Sequence, residues 1–163
     1  MIVLVFLVQT LRIAVPYIFA AAGGVVSERA GIITLQLEGM MLGGAFGATL
    51  GAYYSGSAWA GVLCGILGGL LFGAIHALAC VRYGANQVVV GIAVNLLAIG
   101  ATRFFLRLAF DSSSNSPRVA GFTVEQVGSG FLALLANPLF WLALAAFPAV
   151  AWMLDGTAFG LRV

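Results

Sequence analysis

Four glycines fall at Gly39, Gly43, Gly47 and Gly51, and after a short break four more fall at Gly61, Gly65, Gly69 and Gly73. A four-residue period places each set on one stripe of an α-helix, because residues i and i+4 stack one above the other. In water such helices would be weak, since glycine is the poorest helix former after proline. In lipid the missing side chains open a groove in which a second backbone can approach and gain dispersion contact. The two stripes therefore predict a hairpin of closely packed membrane helices over 32–54 and 58–81. The competing reading is that glycine is simply abundant, with 22 in the chain. A regular period on both segments argues against it.

A membrane setting is also what the composition requires. Hydrophobic residues make up 63% of the chain and charged residues 7%, against about a quarter charged in a soluble domain, and the mean hydropathy is +1.13. With about 20 residues needed per apolar span, the 163 residues accommodate about five helices and leave no room for a soluble domain. The fold class expected is all-α, a polytopic helical membrane protein, with 1–163 as one transmembrane domain. The remaining spans are predicted over 11–26, 87–110 and 138–154. Pro16 should bend the first and Pro148 the last. Asn86 reads as an N-cap, and Asn137-Pro138 as a cap followed by proline at the first helical position. Between the fourth and fifth spans the polar run from Asp111 to about Gly130 reads as a solvated loop, with a short or re-entrant piece from Phe131. The N-terminus resembles a signal peptide at Ala20-Ala21-Ala22, but it lacks the basic leader such a signal carries.

All seven basic residues are arginines, Arg12, Arg29, Arg82, Arg103, Arg107, Arg118 and Arg162. They form no tract suited to nucleic acid or anionic lipid. Arg29, Arg82 and Arg162 share one predicted membrane face while Arg103, Arg107 and Arg118 approach the other, so the arginine count ties; the reading favoured here puts Arg29, Arg82 and Arg162 on the cytoplasmic side. Arg107 and Asp111 have the i,i+4 spacing of a helical ion pair. Cys64 and Cys80 stand sixteen residues apart on one predicted helix, roughly 24 Å along its axis, too far for a disulfide.

Within this apolar background Glu38 needs a reason, because a carboxylate at hydrocarbon depth is tolerated only where it faces a protein interior, water or a partner. Counted at 1.5 Å per residue, Glu38, His76 and Asn95 lie about 10, 9 and 13 Å into a core of about 30 Å. The three are expected to form a polar level, with Glu38 and His76 approaching each other and Asn95 joining from the fourth helix. Alternatively these groups serve only as interhelical hydrogen-bonding, worth on the order of 0.6 kcal/mol per contact, with Glu38 capping backbone near Gly31 or pairing with Arg29. The candidate substrate-path residues are Glu38, His76, Asn95, Gln36 and Gln87. No phosphate loop, HExxH, CxxC or nucleophile elbow is present, so no catalytic residue, metal site or cofactor is expected and the chain does not read as an enzyme. A carrier or channel component is what these residues allow.

The blocks Glu28-Arg29-Ala30-Gly31-Ile32-Ile33, Leu37-Glu38-Gly39-Met40-Met41, His76-Ala77-Leu78 and Asn86-Gln87-Val88-Val89-Val90-Gly91 through Asn95 together resemble the permease subunits of bacterial ABC importers for nucleosides and simple sugars. That group also contains the ribose-type and branched-chain amino acid permeases. Ser27-Glu28-Arg29-Ala30-Gly31 and Ala85-Asn86-Gln87-Val88-Val89 look most like the nucleoside-type branch. Family members usually carry Asn where Thr34 stands. They also run about twice as long, continuing past a Phe-Gly-Leu-Arg stretch such as Phe159-Gly160-Leu161-Arg162, so this chain resembles the N-terminal half of a permease.

The resemblance implies a pathway-forming subunit without its own ATPase, working by alternating access in a bacterial plasma membrane. Its partners would be an ABC ATPase subunit, a second permease subunit and an extracytoplasmic substrate-binding lipoprotein. The other reading the residues leave open is a small secondary carrier or ion channel component using Glu38 as a proton or cation site.

Overall fold

The computed structural model describes residues 2–112, 115–119, 121, 122, 137–157 and 160. All regular structure among the described residues is helical: α1 (Ile2–Arg29), α2 (Leu37–Ser55), α3 (Ala58–Ala77) running on into a π-helical turn (Leu78–Arg82), α4 (Gln87–Phe110) and α5 (Pro138–Gly156). Among the described residues four segments are long and apolar enough to cross a membrane, Phe6–Arg29, Ala58–Arg82, Gln87–Phe110 and Pro138–Gly156. The 19-residue α2 is not among them, because its glycines, tyrosines and Glu38 dilute its leucines and methionines. The protein is a multi-pass helical membrane protein.

The chain divides into two compact units, Met1–Ile32 with Phe122–Val163, and Ile33–Gly121. In the first, α1 packs on α5, and Arg29 lies 3.7 Å from Asp155 with both side chains well exposed. An exposed pair of this kind contributes little to stability. The first helix is longer than the sequence suggests, beginning at Ile2 rather than near Leu11, and Pro16 lies inside it. Proline removes one intrahelical donor, and the apolar run before it carries the helix through. α1 then stops at Gly31, whose φ of +76° is the left-handed conformation glycine adopts without penalty. The Gly31 N–H donates to Glu28 O at 3.0 Å and the Ile32 N–H to Ser27 O at 3.0 Å, the paired bonds of a Schellman stop. α5 starts as its sequence dictates, with Asn137 Oδ1 accepting from the Leu139 N–H at 3.0 Å and Pro138 in the first turn. The expected piece from Phe131, and Leu161 to Val163, lie outside the described residues.

In the second unit α2 and α3 form a hairpin, its turn made by Gly56 at φ +64°, whose N–H donates to Ala52 O at 3.0 Å. A Cβ built on Gly47 would overlap the carbonyl oxygen of Cys64, and one on Gly68 the carbonyl oxygen of Gly43. One on Gly51 would sit 2.8 Å from Ala60 O, and one on Gly61 3.0 Å from Ala48 O. These are backbone-to-backbone approaches that only glycine permits. α4 lies against this pair: Phe72, Val94 and Ala98 are buried together, with Met40, Val90 and Ala101 packed on them. The outward faces carry exposed Leu63, Leu67, Leu70 and Leu71 on α3 and Leu96, Leu97 and Leu108 on α4, as an apolar solvent requires.

α4 begins where the sequence places it, with Asn86 Oδ1 accepting from the N–H groups of Val88 and Val89 at 3.0 and 3.3 Å. It ends at Asp111, held at φ +57° with its N–H donating to Arg107 O. Arg107 and Asp111 are thus joined by main chain. α2, in contrast, begins five residues later than expected, at Leu37 rather than Ile32; the reason lies in α4.

Candidate functional site

Between Gly31 and Leu37 the chain leaves helical geometry, and in a membrane protein its freed backbone groups need partners from elsewhere. α4 supplies them. Gln87 Oε1 accepts from the Ile33 N–H at 2.8 Å, and about two turns deeper Asn95 Nδ2 donates to Leu35 O at 2.9 Å. The same Asn95 amide accepts, through Oδ1, from the Gly39 N–H at 2.8 Å. Gly39 lies in the first turn of α2, where the N–H groups have no intrahelical acceptor, so Asn95 acts as a remote cap that ties the unwound segment and the helix start to α4. Close approach makes this possible: a Cβ on Gly39 would fall 2.9 Å from Asn95 Oδ1, and one on Gly91 2.8 Å from Leu35 Cβ.

Gln36, the residue that precedes α2, is buried, and its Oε1 has no hydrogen-bond partner among the described residues. Glu38 follows in the first turn with its side chain exposed. A carboxylate there complements the positive end of the helix dipole. No hydrogen bond or ion pair joins Glu38 to His76 or Asn95. Equal depth therefore does not bring the expected trio together, since counting along a helix sets a level and not a direction around its axis.

His76 is 2% exposed, the largest fully buried side chain among the described residues. Its Nε2 lies 3.4 Å from Cys80 Sγ, and its Nδ1 is buried without a partner. Cys80 stands four residues after His76, on the same helix face, and inside the π turn at Leu78–Arg82, a local feature frequent at functional sites.

The glycines sort into groups that the sequence ladder does not separate. Gly43, Gly47, Gly51, Gly61 and Gly65 lie at the α2–α3 crossing, joined by Gly44 and Gly68, which fall outside the four-residue periods. Gly39 instead meets α4, Gly73 meets only the flexible end of Met40, and at Gly69 a Cβ would make an ordinary contact at 3.5 Å from Met40 O. Further along α2 and α4 a cleft of about 400 Å³ is lined by Thr49, Thr102, Asn115 and Ser116 among apolar neighbours. The sequence reading had not singled out Thr102, which is buried and donates its hydroxyl to Ala98 O at 2.6 Å. Among the described residues no group of three His, Cys, Asp or Glu side chains could hold a metal ion.

Residues 6–163 match the family described as branched-chain amino acid transport system / permease component. Among curated proteins, the chain is 34% identical over 168 residues to the guanosine ABC transporter permease protein NupQ of Bacillus subtilis, covering 94% of this chain and 53% of the relative. It is 34% identical to a putative glucose ABC transporter permease protein, TsgC13, of Haloferax volcanii, covering 94% and 49%. It is 33% identical to the nucleoside ABC transporter permease protein NupC of Lactococcus lactis, covering 91% and 51%. The chain thus spans about half the length of the curated relatives it matches. No solved structure matches it.

Proposed function

We propose that this chain, which belongs to the family of branched-chain amino acid transport system permease components, forms part of the membrane pathway of an ATP-driven importer for nucleosides or simple sugars. The observation that carries this reading is the match of residues 6–163 to that family, joined by relatives named for guanosine, glucose and nucleosides that align over more than nine-tenths of the chain. In this reading the chain is a transport component of a bacterial plasma membrane. ATP hydrolysis takes place on a separate ABC ATPase subunit, a second permease subunit completes the pathway, and an extracytoplasmic lipoprotein delivers the substrate.

The α2–α3 hairpin and α4 are suited to the task. Backbone contact makes the hairpin rigid, while the segment before α2 is held by two side chains rather than by its own ladder. Such an unwound stretch beside a helix start is how membrane transporters expose backbone groups to a polar solute. Gln87 and Asn95 bond to that segment and to the start of α2, Gln36 and Glu38 lie at its end, and we assign the substrate path to these residues together with His76 of α3.

The test is uptake of radiolabelled guanosine and of glucose by cells carrying or lacking the gene, in its native setting. Loss of uptake of one of them on deletion, with the same loss when the partner ATPase carries a substitution in its phosphate-binding loop, is the expected outcome. Uptake of both that is unchanged by deletion, or that persists without ATP hydrolysis, refutes the reading.

A further inference from the structure

Two buried polar atoms in the second unit have no partner among the described residues, Gln36 Oε1 and His76 Nδ1. Their side chains are 3% and 2% exposed, and leaving such atoms unpaired is costly. The hairpin register relates them. Gly51 meets Ala60, Gly47 meets Cys64 and Gly43 meets Gly68 and Phe72, so each turn back along α2 advances one turn along α3. Met40, the next turn back, touches Gly69 and Gly73. One turn further is Gln36, whose carbonyl oxygen still accepts from the Met40 N–H in helical fashion at 3.0 Å. The next turn of α3 carries His76. Gln36 and His76 therefore occupy corresponding positions in the antiparallel pair, and the third side is closed by α4, where Gly91 lies against Leu35 and Gln36.

The hydrogen-bonding types are complementary. If Cys80 donates its thiol hydrogen to His76 Nε2, the ring proton resides on Nδ1, making it a donor. Gln36 Oε1 is an acceptor only. A single hydroxyl can accept from the first and donate to the second.

We propose that Gln36 and His76 form a binding site for one hydroxyl group, which accepts from His76 Nδ1–H and donates to Gln36 Oε1, with Cys80 fixing the tautomer from the π turn. The hydroxyl is that of a resident water or of a sugar-bearing substrate; only the second source rests on the transport reading above.

Because His76 is the only histidine in the chain, selective ¹⁵N-histidine labelling of the chain in lipid nanodiscs reports this site alone. The expected spectrum is that of the Nδ1–H tautomer, with a proton that shows an exchange cross-peak to a hydroxyl or water. Gln36→Met and Gln36→Leu should each speed solvent exchange of that proton about tenfold, the loss of one good hydrogen bond, and Cys80→Ala should mix the tautomers. Adding guanosine or glucose distinguishes the sources. Replacement of the water cross-peak by one to the sugar assigns the hydroxyl to substrate, and an unchanged cross-peak assigns it to water; either keeps the site. An Nε2–H tautomer in the unsubstituted protein overturns the proposal without any variant, and so does an Nδ1–H signal indifferent to both Gln36 substitutions.

Discussion

Replacing Gly47 by alanine adds one methyl group at one of the tightest backbone approaches between α2 and α3. That methyl would overlap the Cys64 carbonyl oxygen and stand 3.1 Å from its carbon and 3.5 Å from Gly68 Cα. All three are backbone atoms, so no side-chain rotation relieves the overlap and the helices must separate along their contact. Overpacking of this kind costs about 1–3 kcal/mol or more, and separation also forfeits dispersion contact at the neighbouring glycines. Against it stands a gain of about 1 kcal/mol from helix propensity. The net effect expected of Gly47→Ala is a loss of about 2 kcal/mol. Gly69→Ala belongs to the same sequence ladder, yet its methyl would meet Met40 O at an ordinary 3.5 Å, so it should keep the propensity gain and be neutral or slightly stabilising. Gly100→Ala on α4, with nothing within 4 Å of the added methyl, should behave like Gly69→Ala. Equilibrium unfolding in mixed micelles with increasing dodecyl sulfate, followed by far-ultraviolet circular dichroism, measures all three. Equal midpoints for Gly47→Ala and Gly69→Ala would refute the crossing geometry, and Gly47→Leu should be worse than Gly47→Ala.

Asn95→Ala removes the acceptor of the Gly39 N–H and the donor to Leu35 O, two contacts of about 0.6–1 kcal/mol each; a loss of about 1–2 kcal/mol in the same unfolding assay, with faster hydrogen exchange at Gly39, is expected, and unchanged exchange would contradict the remote cap. Glu38→Gln should leave the unfolding midpoint unchanged, because the side chain is exposed and joined to neither His76 nor Asn95; a large destabilisation would show that it is paired. If Glu38 lines the substrate path, the same variant should lower uptake while the fold persists. Cysteines at Gly84 and Ser116, in a background lacking Cys64 and Cys80, flank the 24 residues of α4, about 36 Å of helix across a core of about 30 Å. They should label from opposite sides of intact cells, and labelling of both from one side would remove α4 as a span.

How much of this architecture could be read from the chain depends on how local each cause is. The caps at Asn86 and Asn137 and the proline in the first turn of α5 are all determined within a few residues, and each is where the sequence puts it; α1 instead runs on to Arg29, past the expected end at Val26, before it stops at Gly31. The glycine stripes likewise announce a close crossing. What a stripe cannot convey is how two antiparallel helices rotate against each other, and that rotation is why Gly44 and Gly68, off both periods, enter the crossing while Gly69 and Gly73 meet α2 more loosely, at Met40. The late start of α2 has a still more distant cause: the groups that hold the unwound segment come from Gln87 and Asn95, 54 and 60 positions away from their partners, and no periodicity records them.

The polar residues extend the same argument from packing to chemistry. Depth counted along a helix assigns Glu38, His76 and Asn95 to one level, but direction around each axis separates them: Asn95 turns to the α2 backbone, His76 to Cys80, and Glu38 outward. Gln36, two residues before Glu38, turns inward instead. Glu38 falls in a first turn whose N–H groups lack intrahelical acceptors and Gln36 just before it, so a carboxylate is favoured there even when exposed, while an amide carbonyl can be buried only if something donates to it. A carboxylate facing outward requires no donor from within the unit; the buried amide does. The chemical demand inside the helical unit therefore falls on Gln36 and His76, and a neutral solute or water offering a hydroxyl meets it where a cation drawn to Glu38 would not.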